Sequence, residues 1–429
     1  MTELSLQKGA LLAESLAHFE PISGPLAELR QAGQAQLKQH GLPGPRDEAW
    51  RFTQVRSVTD VAFRREPAGV AARAVQLQVS DTATLVFGSD LASAKPGPGI
   101  EVWSSRTGGE PPPWTKIALS SQTPIAPFAA LNGSEAEELW CIRLSGSPGP
   151  LQIIYPGPTS SGEPTMKNPR VHVRVEEGTR ATFVELTTAS ESLAPTLTNS
   201  VSEVFVGKNA TLEHVRISLG NLKSRQISTV SAKLLRNSSY LSRVVTLGGA
   251  LTRTDLTISM SEKGAQAELD GLYFAADGEQ VDHHTVVEHA QGHCQSVQKY
   301  KGFASGNGQA IFDGIVRVHP GASGTVAHQS NRNVLLSEEA VVHTKPHLEI
   351  ENDDVVCTHG ATVGRLRLEE QFYLQSRGID PDTARTLLSY AFASEVFDAI
   401  IHPAARDFVR REFLSKLGSP ALFAELLAP

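Results

Sequence analysis

RVHVRVEEGTRATFVELTT (Arg170–Thr188) decides the fold class of this chain. Val171, Val173 and Val175 alternate with His172 and Arg174, the period-2 pattern of a strand. The small-residue turn at Gly178 leads directly into a second run, ATFVELTT. Similar runs follow: SVSEVFVG (Ser200–Gly207), ATLEHVRISL (Ala210–Leu219), TDLTISMS (Thr254–Ser261) and IVRVHP (Ile315–Pro320), with hardly any helix signal between them. Turn-plus-strand units fall near Ala181, Ala210, Ser239, Gln266 and Cys294, spaced by roughly 28 residues. After Cys294 the interval drops to about half, at Ala310 and Thr325. A regular turn-and-strand period is the mark of a solenoid, in which each coil stacks on the last. A large β-sandwich also brings frequent turns; the near-constant interval favours a β-helix.

Around this core, residues 166–364, lie three other zones. Up to about residue 60 the pattern is helical: Leu4, Leu6, Leu11, Leu12, Leu16 and Phe19, then Gly24–His40 with Leu26, Leu29 and Leu37, stopped at Pro43-Gly44-Pro45. RDEAWRFT (Arg46–Thr53) follows, charged yet holding Trp50 and Phe52. Residues 61–165 are mixed, with turn clusters GGEPPPW (Gly108–Trp114) and SGSPGP (Ser145–Pro150). The last zone, 365–429, is helical. Gly378 closes one helix, and Asp380 caps the next with Pro381 at its first position. Ala384, Leu387, Leu388, Ala391, Phe392, Val396, Ala399 and Ile400 share one face, and Ala404–Leu417 follows. Such a tail would cap an open solenoid end or dock a partner; the pattern does not choose between them.

Composition narrows the function. The 429 residues are 40% hydrophobic and 20% charged, as in a globular protein with more than one packed unit. A net charge of −7 argues against binding duplex nucleic acid. Three widely separated cysteines, Cys141, Cys294 and Cys357, make no disulfide framework and suggest a reducing, cytoplasmic setting. The N-terminus lacks the pattern of a signal peptide, and no stretch is apolar enough for a spanning helix.

Two features carry candidate chemistry. In DDVVCTHGATVGRLRLEEQFYLQSRGI (Asp353–Ile379), Cys357 and His359 sit two residues apart on an extended segment and so face the same side. Both can ligate iron, copper or zinc; equally, Cys357 reads as one more small buried residue. The second feature is histidine: nine of fourteen lie between His283 and His359. DHHTVVEH (Asp282–His289) is the densest group, with His293 and Cys294 beyond it. A metalloenzyme would use His284, Glu288, His289 and His293, but no zinc signature is present. Polar ladders on a sheet face are the simpler reading. No nucleophile elbow and no Walker loop occurs, so a self-contained catalytic set is hard to find in the sequence.

LEIENDDVVCTHGATVGRLRLEEQFYLQSRGI (Leu348–Ile379) resembles the C-terminal motif of the SufB/SufD family, scaffold subunits of the SUF iron–sulfur cluster assembly machinery, and within it the SufD branch. HTKPHLEI (His343–Ile350), KYKGFASGNGQAIFDGIVRV (Lys299–Val318) and PGPRDEAWRFT (Pro43–Thr53) extend the resemblance over nearly the whole chain. It implies a mainly β fold: a right-handed parallel β-helix core flanked by N-terminal and C-terminal α-helical regions. It implies a non-catalytic role, pairing with SufB through the β-helix and binding the SufC ATPase through the C-terminal helices, with a homodimer when isolated as an alternative. Carried over residue by residue, Cys357 and His359 match the family's Cys-x-His at the shared interface. His359 would be the candidate iron or cluster ligand and Cys357 its supporting neighbour. Pro381–Ile401, with Leu387, Tyr390, Phe392 and Val396, would serve ATPase docking. The iron–sulfur cluster would be transient cargo of the interface, with nothing tightly bound to the isolated chain. The histidines around His283–His293 map onto no function of the family.

Overall fold

The structure is a computed structural model that describes residues 9–18, 24–66, 83–88, 96–106, 109–115, 126–159 and 162–419. Leu4, Leu6 and Phe19 of the N-terminal pattern, and Gly108, lie outside the described residues. The period-2 segments form two sheets of 11 and nine strands that face one another as a parallel β-solenoid. In the first sheet, Thr196–Val206, Ser224–Leu234, Leu251–Met260, Gln280–His289, Gln309–Val318 and Val341–Ile350 pair in that order. In the second, Arg180–Thr187, Thr211–Leu219, Ser239–Leu247, Gln266–Ala275, Gln295–Ala304, Thr325–Leu335 and Val355–Gly364 do the same. Both sheets continue N-terminally through Leu139–Leu144 and Leu151–Tyr155.

The repeat has a backbone cause. The turns before the six second-sheet strands from Arg180–Thr187 to Thr325–Leu335 each hold one residue in the left-handed region: Gly178, Asn209, Asn237, Gly264, His293 and Gly324. Glycine and asparagine are the residues that enter this region at least cost. The apparent shortening of the period after Cys294 is corrected by the pairing. Ala310 belongs to the first sheet and Thr325 to the second; Ser296 pairs with Ala327, and Ala327 with Cys357, so each coil still consists of two strands.

Inside the coils one face of each strand makes a single apolar core that includes Trp140, Phe183, Leu212, Tyr240, Leu269, Tyr273, Tyr300 and Phe312. Packing there is close enough to dictate glycine: a Cβ at Gly302 would stand 2.1 Å from the Tyr273 ring and 2.2 Å from Asn333 Oδ1.

Helices cover the outside. At the N-terminus they are α1 (Ala10–Ala17), α2 (Ala27–His40), α3 (Arg56–Thr59) and α4 (Pro127–Ser134). At the C-terminus they are α5 (Leu368–Ser376), α6 (Pro381–Asp398) and α7 (Pro403–Lys416). The Asp380 side chain accepts from the N–H groups of Asp382 and Thr383 at 3.1 and 3.0 Å, the expected cap. Helices α6 and α7 bury Ala393, Val396, Phe397, Phe408 and Phe413 against Phe274 and Phe303 on the outer face of the second sheet. They therefore run along the side of the solenoid. Its last coil stays uncovered: Val356, Val363 and Ile350 are exposed.

Candidate functional site at the open end

Cys357 and His359 each end a stacked column. Ala267, Ser296, Ala327 and Cys357 align through consecutive second-sheet strands, and so do Leu269, Gln298, Gln329 and His359. Ala327 and Gln329 are buried in the solenoid interior, so the same parity points Cys357 and His359 inward. Among the described residues no further strand stacks above them, and His359 is exposed and Cys357 half-buried. Cys357 rests against Val316, Val318, Ala327 and Leu348. Burial pushes its thiol above the ordinary cysteine range, against a backbone hydrogen bond from Ala327. The resting group is thus a thiol rather than a reactive thiolate.

The edge also offers backbone. Ala327 lies opposite Cys357, and the N–H of Val326 is committed to the strand below, bonding the Cys294 carbonyl. Alternation then turns the Ala327 amide and carbonyl toward residues 356 and 358, and leaves those of Cys357 and His359 pointing off the end of the sheet. A thiol or imidazole and a strand edge left unpaired by the described residues coincide in the same two positions.

The other histidines do not converge. His283 faces the interior, 3.1 Å from Thr246 Oγ1 and stacked on Tyr273, and burial pushes its pKa down to about 3. His289, also inward, meets Ser296 at 2.9 Å and is pushed down to about 4 by burial. His284 faces outward to Asp282 at 2.9 Å, Glu288 faces outward to Arg317 at 2.9 Å, and His293 is the left-handed turn residue of its coil. Among the described residues no group of three or more His, Cys, Asp or Glu is placed to hold a metal. The metalloenzyme reading of His284, Glu288, His289 and His293 is therefore corrected: strand alternation sends them to opposite faces.

The proposed docking residues divide. Val396 is buried against the second sheet, whereas Leu387, Tyr390 and Phe392 keep part of their surface accessible. Lys301 holds Phe392 in place by donating to its carbonyl at 2.7 Å and lies 4.8 Å from its ring. Large exposed apolar side chains in this region also include Leu368, Phe372 and Tyr373 of α5, which carry no function in the sequence reading.

Sequence reasoning also missed two polar constructions. In the interior, Glu185 accepts from Tyr155 at 2.6 Å and Ser202 at 2.6 Å, and meets His214 at 2.7 Å. Burial works to raise this carboxyl, but His214 and the hydroxyls hold it below its ordinary range. On the outside, RDEAWRFT is clasped to the first sheet. The Arg253 guanidinium lies 3.7 Å from the Trp50 ring and donates to Asp282 at 2.8 Å, Asp255 at 2.8 Å and the Ala49 carbonyl at 2.8 Å. Burial would raise the Asp282 carboxyl, yet His284 and Arg253 together hold it far below the usual range. The clasp reaches the last first-sheet strand through Phe52, stacked on His343 at 4.0 Å. The signal was present as unexplained charge beside aromatics, but its partners are some 200 residues apart.

Comparison with known proteins bears on this end of the molecule. A family model described as "SUF system FeS cluster assembly, SufBD core domain" matches residues 158–392, which include every coil from Arg170 onward and the Cys-x-His strand. The chain is 29% identical to the iron-sulfur cluster assembly protein SufD of Escherichia coli over 397 residues, 89% of this chain and 90% of that protein. It is 30% identical to an iron-sulfur cluster assembly SufBD family protein of Synechocystis over 409 residues, 87% of each chain. It is 29% identical to the chloroplastic protein ABCI7 of Arabidopsis thaliana over 431 residues, 94% of this chain and 89% of that one.

Proposed function

The chain belongs to the SufBD family of the SUF iron–sulfur cluster assembly system, and from that premise we propose that it is a non-catalytic scaffold subunit whose open solenoid end is half of an assembly site. One observation carries this reading: Cys357 and His359 point inward at a coil that none of the described residues covers, with too few donors there to hold a cluster alone. Iron–sulfur clusters take four or so protein ligands, mostly thiolates, with imidazole as a known substitute. A second chain seated on the edge would supply the rest and close the mouth against water. The partner proposed for this edge is SufB, met through the terminal strands. The SufC ATPase is proposed to dock at the C-terminal helices, where Leu387, Tyr390 and Phe392 stay partly accessible beside the exposed α5.

In this reading His359 supplies a ligand from its neutral imidazole, and Cys357 lies beside it as a protonated, partly sheltered thiol. ATP binding by paired SufC subunits would strain the shared edge and open it to iron and sulfur. The cluster is cargo that leaves.

The test is reconstitution of the complex with SufB and SufC of the same organism. His359→Ala should leave the three subunits co-purifying and abolish cluster formation, read as the visible absorption of the anaerobically purified complex. Deleting the chain beyond Gly378 should release SufC while SufB remains. Full cluster yield from His359→Ala, or SufC retained by the truncated chain, overturns the corresponding half of the proposal.

A further inference from the structure

The interior of the solenoid encloses a cation that the described residues leave without a counterion. Arg216 is 5% exposed and shares the inward face of its strand with Leu212 and His214. Its Nη2 donates to Ser242 Oγ at 3.0 Å, while Nε and Nη1 are buried with no hydrogen-bond partner among the described residues. The carboxylate in register with it belongs to Glu185 on the neighbouring strand. That carboxylate is already spent on Tyr155, Ser202 and His214. A guanidinium keeps its charge in a protein, and a buried charge without a partner is costly.

From Arg216 the same column runs through Val244, Gly271 and Tyr300 to Asn331 and then Ala361 on the last coil. The Tyr300 ring fills the place of a Gly271 side chain: a Cβ there would stand 2.2 Å from Tyr300 Cε1 and 2.8 Å from Cζ. The Tyr300 hydroxyl has no hydrogen-bond partner among the described residues. Its ring lies 5.6 Å from that of His283, between centroids. His283 spends Nε2 on Thr246 Oγ1 at 3.1 Å, and its Nδ1 is buried and unpartnered. The Arg216 charge reaches both neighbours. Burial first and then that charge push His283 down, and the charge works against the burial that raises Tyr300.

We propose that the solenoid interior binds one small monovalent anion of the halide class, held by Arg216 Nε and Nη1, the Tyr300 hydroxyl and the Nδ1–H of His283. Neutral His283 donates from Nδ1 when its Nε2 accepts from the Thr246 hydroxyl. All the unspent groups can then act as donors. A water molecule carries no charge to set against the guanidinium and brings hydrogens of its own that need acceptors. A multiply charged anion would leave buried negative charge unmatched by a single guanidinium. The site lies inside the packed coils, with Asn331 between Tyr300 and the last coil, and uses neither Cys357 nor His359. An anion enclosed there is bound by the folded chain and not by the unfolded one, so its binding is read as stability.

Two measurements on the full-length chain test the site. Long-wavelength diffraction from crystals of protein purified and grown in sodium bromide should show an anomalous scatterer within hydrogen-bonding reach of Arg216 and the Tyr300 hydroxyl. In urea unfolding at constant ionic strength, replacing gluconate by chloride should stabilise the wild type. The unfolding constant should fall about tenfold once chloride reaches about ten times its dissociation constant. Arg216→Met should unfold alike in the two salts, and Tyr300→Phe should need several-fold more chloride for the wild-type effect. Circular dichroism confirms that each variant is folded. A water in place of the scatterer overturns the proposal, as does a chloride dependence that folded Arg216→Met retains. Should Arg216→Met fail to fold, Tyr300→Phe with an unchanged chloride dependence overturns it instead. Neither measurement involves the open end, so failure here leaves the assembly reading untouched.

Discussion

Gln329 and His359 occupy the same inward-facing column one coil apart, and their surroundings are opposite. Gln329 is buried and donates to Gln298 at 2.6 Å inside a packed interior, while His359 stands exposed at the mouth. A stacked coil buries its inner face only because another coil lies on top. The interior coils therefore express stability, and the last coil expresses what the molecule leaves open. Substitutions should divide along that line.

The largest effect belongs to the interior and its clasp. Asp282→Ala removes the carboxylate shared by Arg253, His284 and Thr53, leaving a guanidinium that is 2% exposed with less compensation. Breaking a buried pair from one side costs about 3 kcal/mol or more. Urea unfolding should show that loss. A change below about 1 kcal/mol would mean that Asp255 and the Trp50 ring carry the clasp without Asp282.

Next in size is a dependence on pH. His283 and His289 have folded pKa values of about 3 and about 4, both lowered by burial from an ordinary 6.5. A depressed imidazole is neutral in the folded state while the unfolded chain takes up the proton. Stability is thus unaffected above the unfolded value and falls as pH drops from 6.5 toward the folded values. His283 alone should account for about 2 kcal/mol between pH 7 and pH 5. The stability gap between His283→Gln and wild type should move by that amount, in favour of the variant, over this interval. An unchanged gap would show that His283 is protonated in the folded chain.

Asp380→Ala probes the helices instead of the coils. Its carboxylate caps α6 through two N–H groups, and the cluster of Asp380 with Thr383 and Asp382 holds its pKa below the ordinary aspartate value. Losing the cap should loosen the first turn of α6. Proteolysis after Gly378 should quicken while the coils stay protected from hydrogen exchange. Uniform loss of protection would show that helices and solenoid unfold as one unit.

How much of this was legible depended on the range of the interaction. Valine alternation at Val171, Val173 and Val175 and the recurring turn residues expose the coils, because both signals are local. Asp380-Pro381 and Gly378 mark the α5–α6 junction for the same reason. The shared face of Cys357 and His359 follows from their spacing, but that this face looks into the solenoid needs the register with Ala327 and Gln329. The clasp of Trp50 on Arg253 and the meeting of Glu185 with His214 join segments that only the coil geometry brings together. His293 misled for a physical reason: an imidazole in a turn position looks, in sequence, like a ligand beside Cys294. Of the helical face read from Ala384 to Ile400, Val396 fills the seam with the second sheet while Ala391 is exposed, a division that only the packing partner decides.

The smallest expected effect is the most informative about the open end. His359→Ala removes an exposed side chain whose column neighbour, Gln329, already has its partner in Gln298, so no buried group is orphaned. A substitution of this kind changes stability by no more than about 0.5 kcal/mol. Cys357→Ala should cost slightly more, because the thiol fills space against Val316, Val318 and Ala327. If His359→Ala instead destabilised the isolated chain by as much as Asp282→Ala, the imidazole would be a structural plug of the last coil. Its position at an uncovered edge would then need no partner to explain it. A silent substitution in the free chain that is costly only in the reconstituted complex is the signature of a residue kept for what docks there.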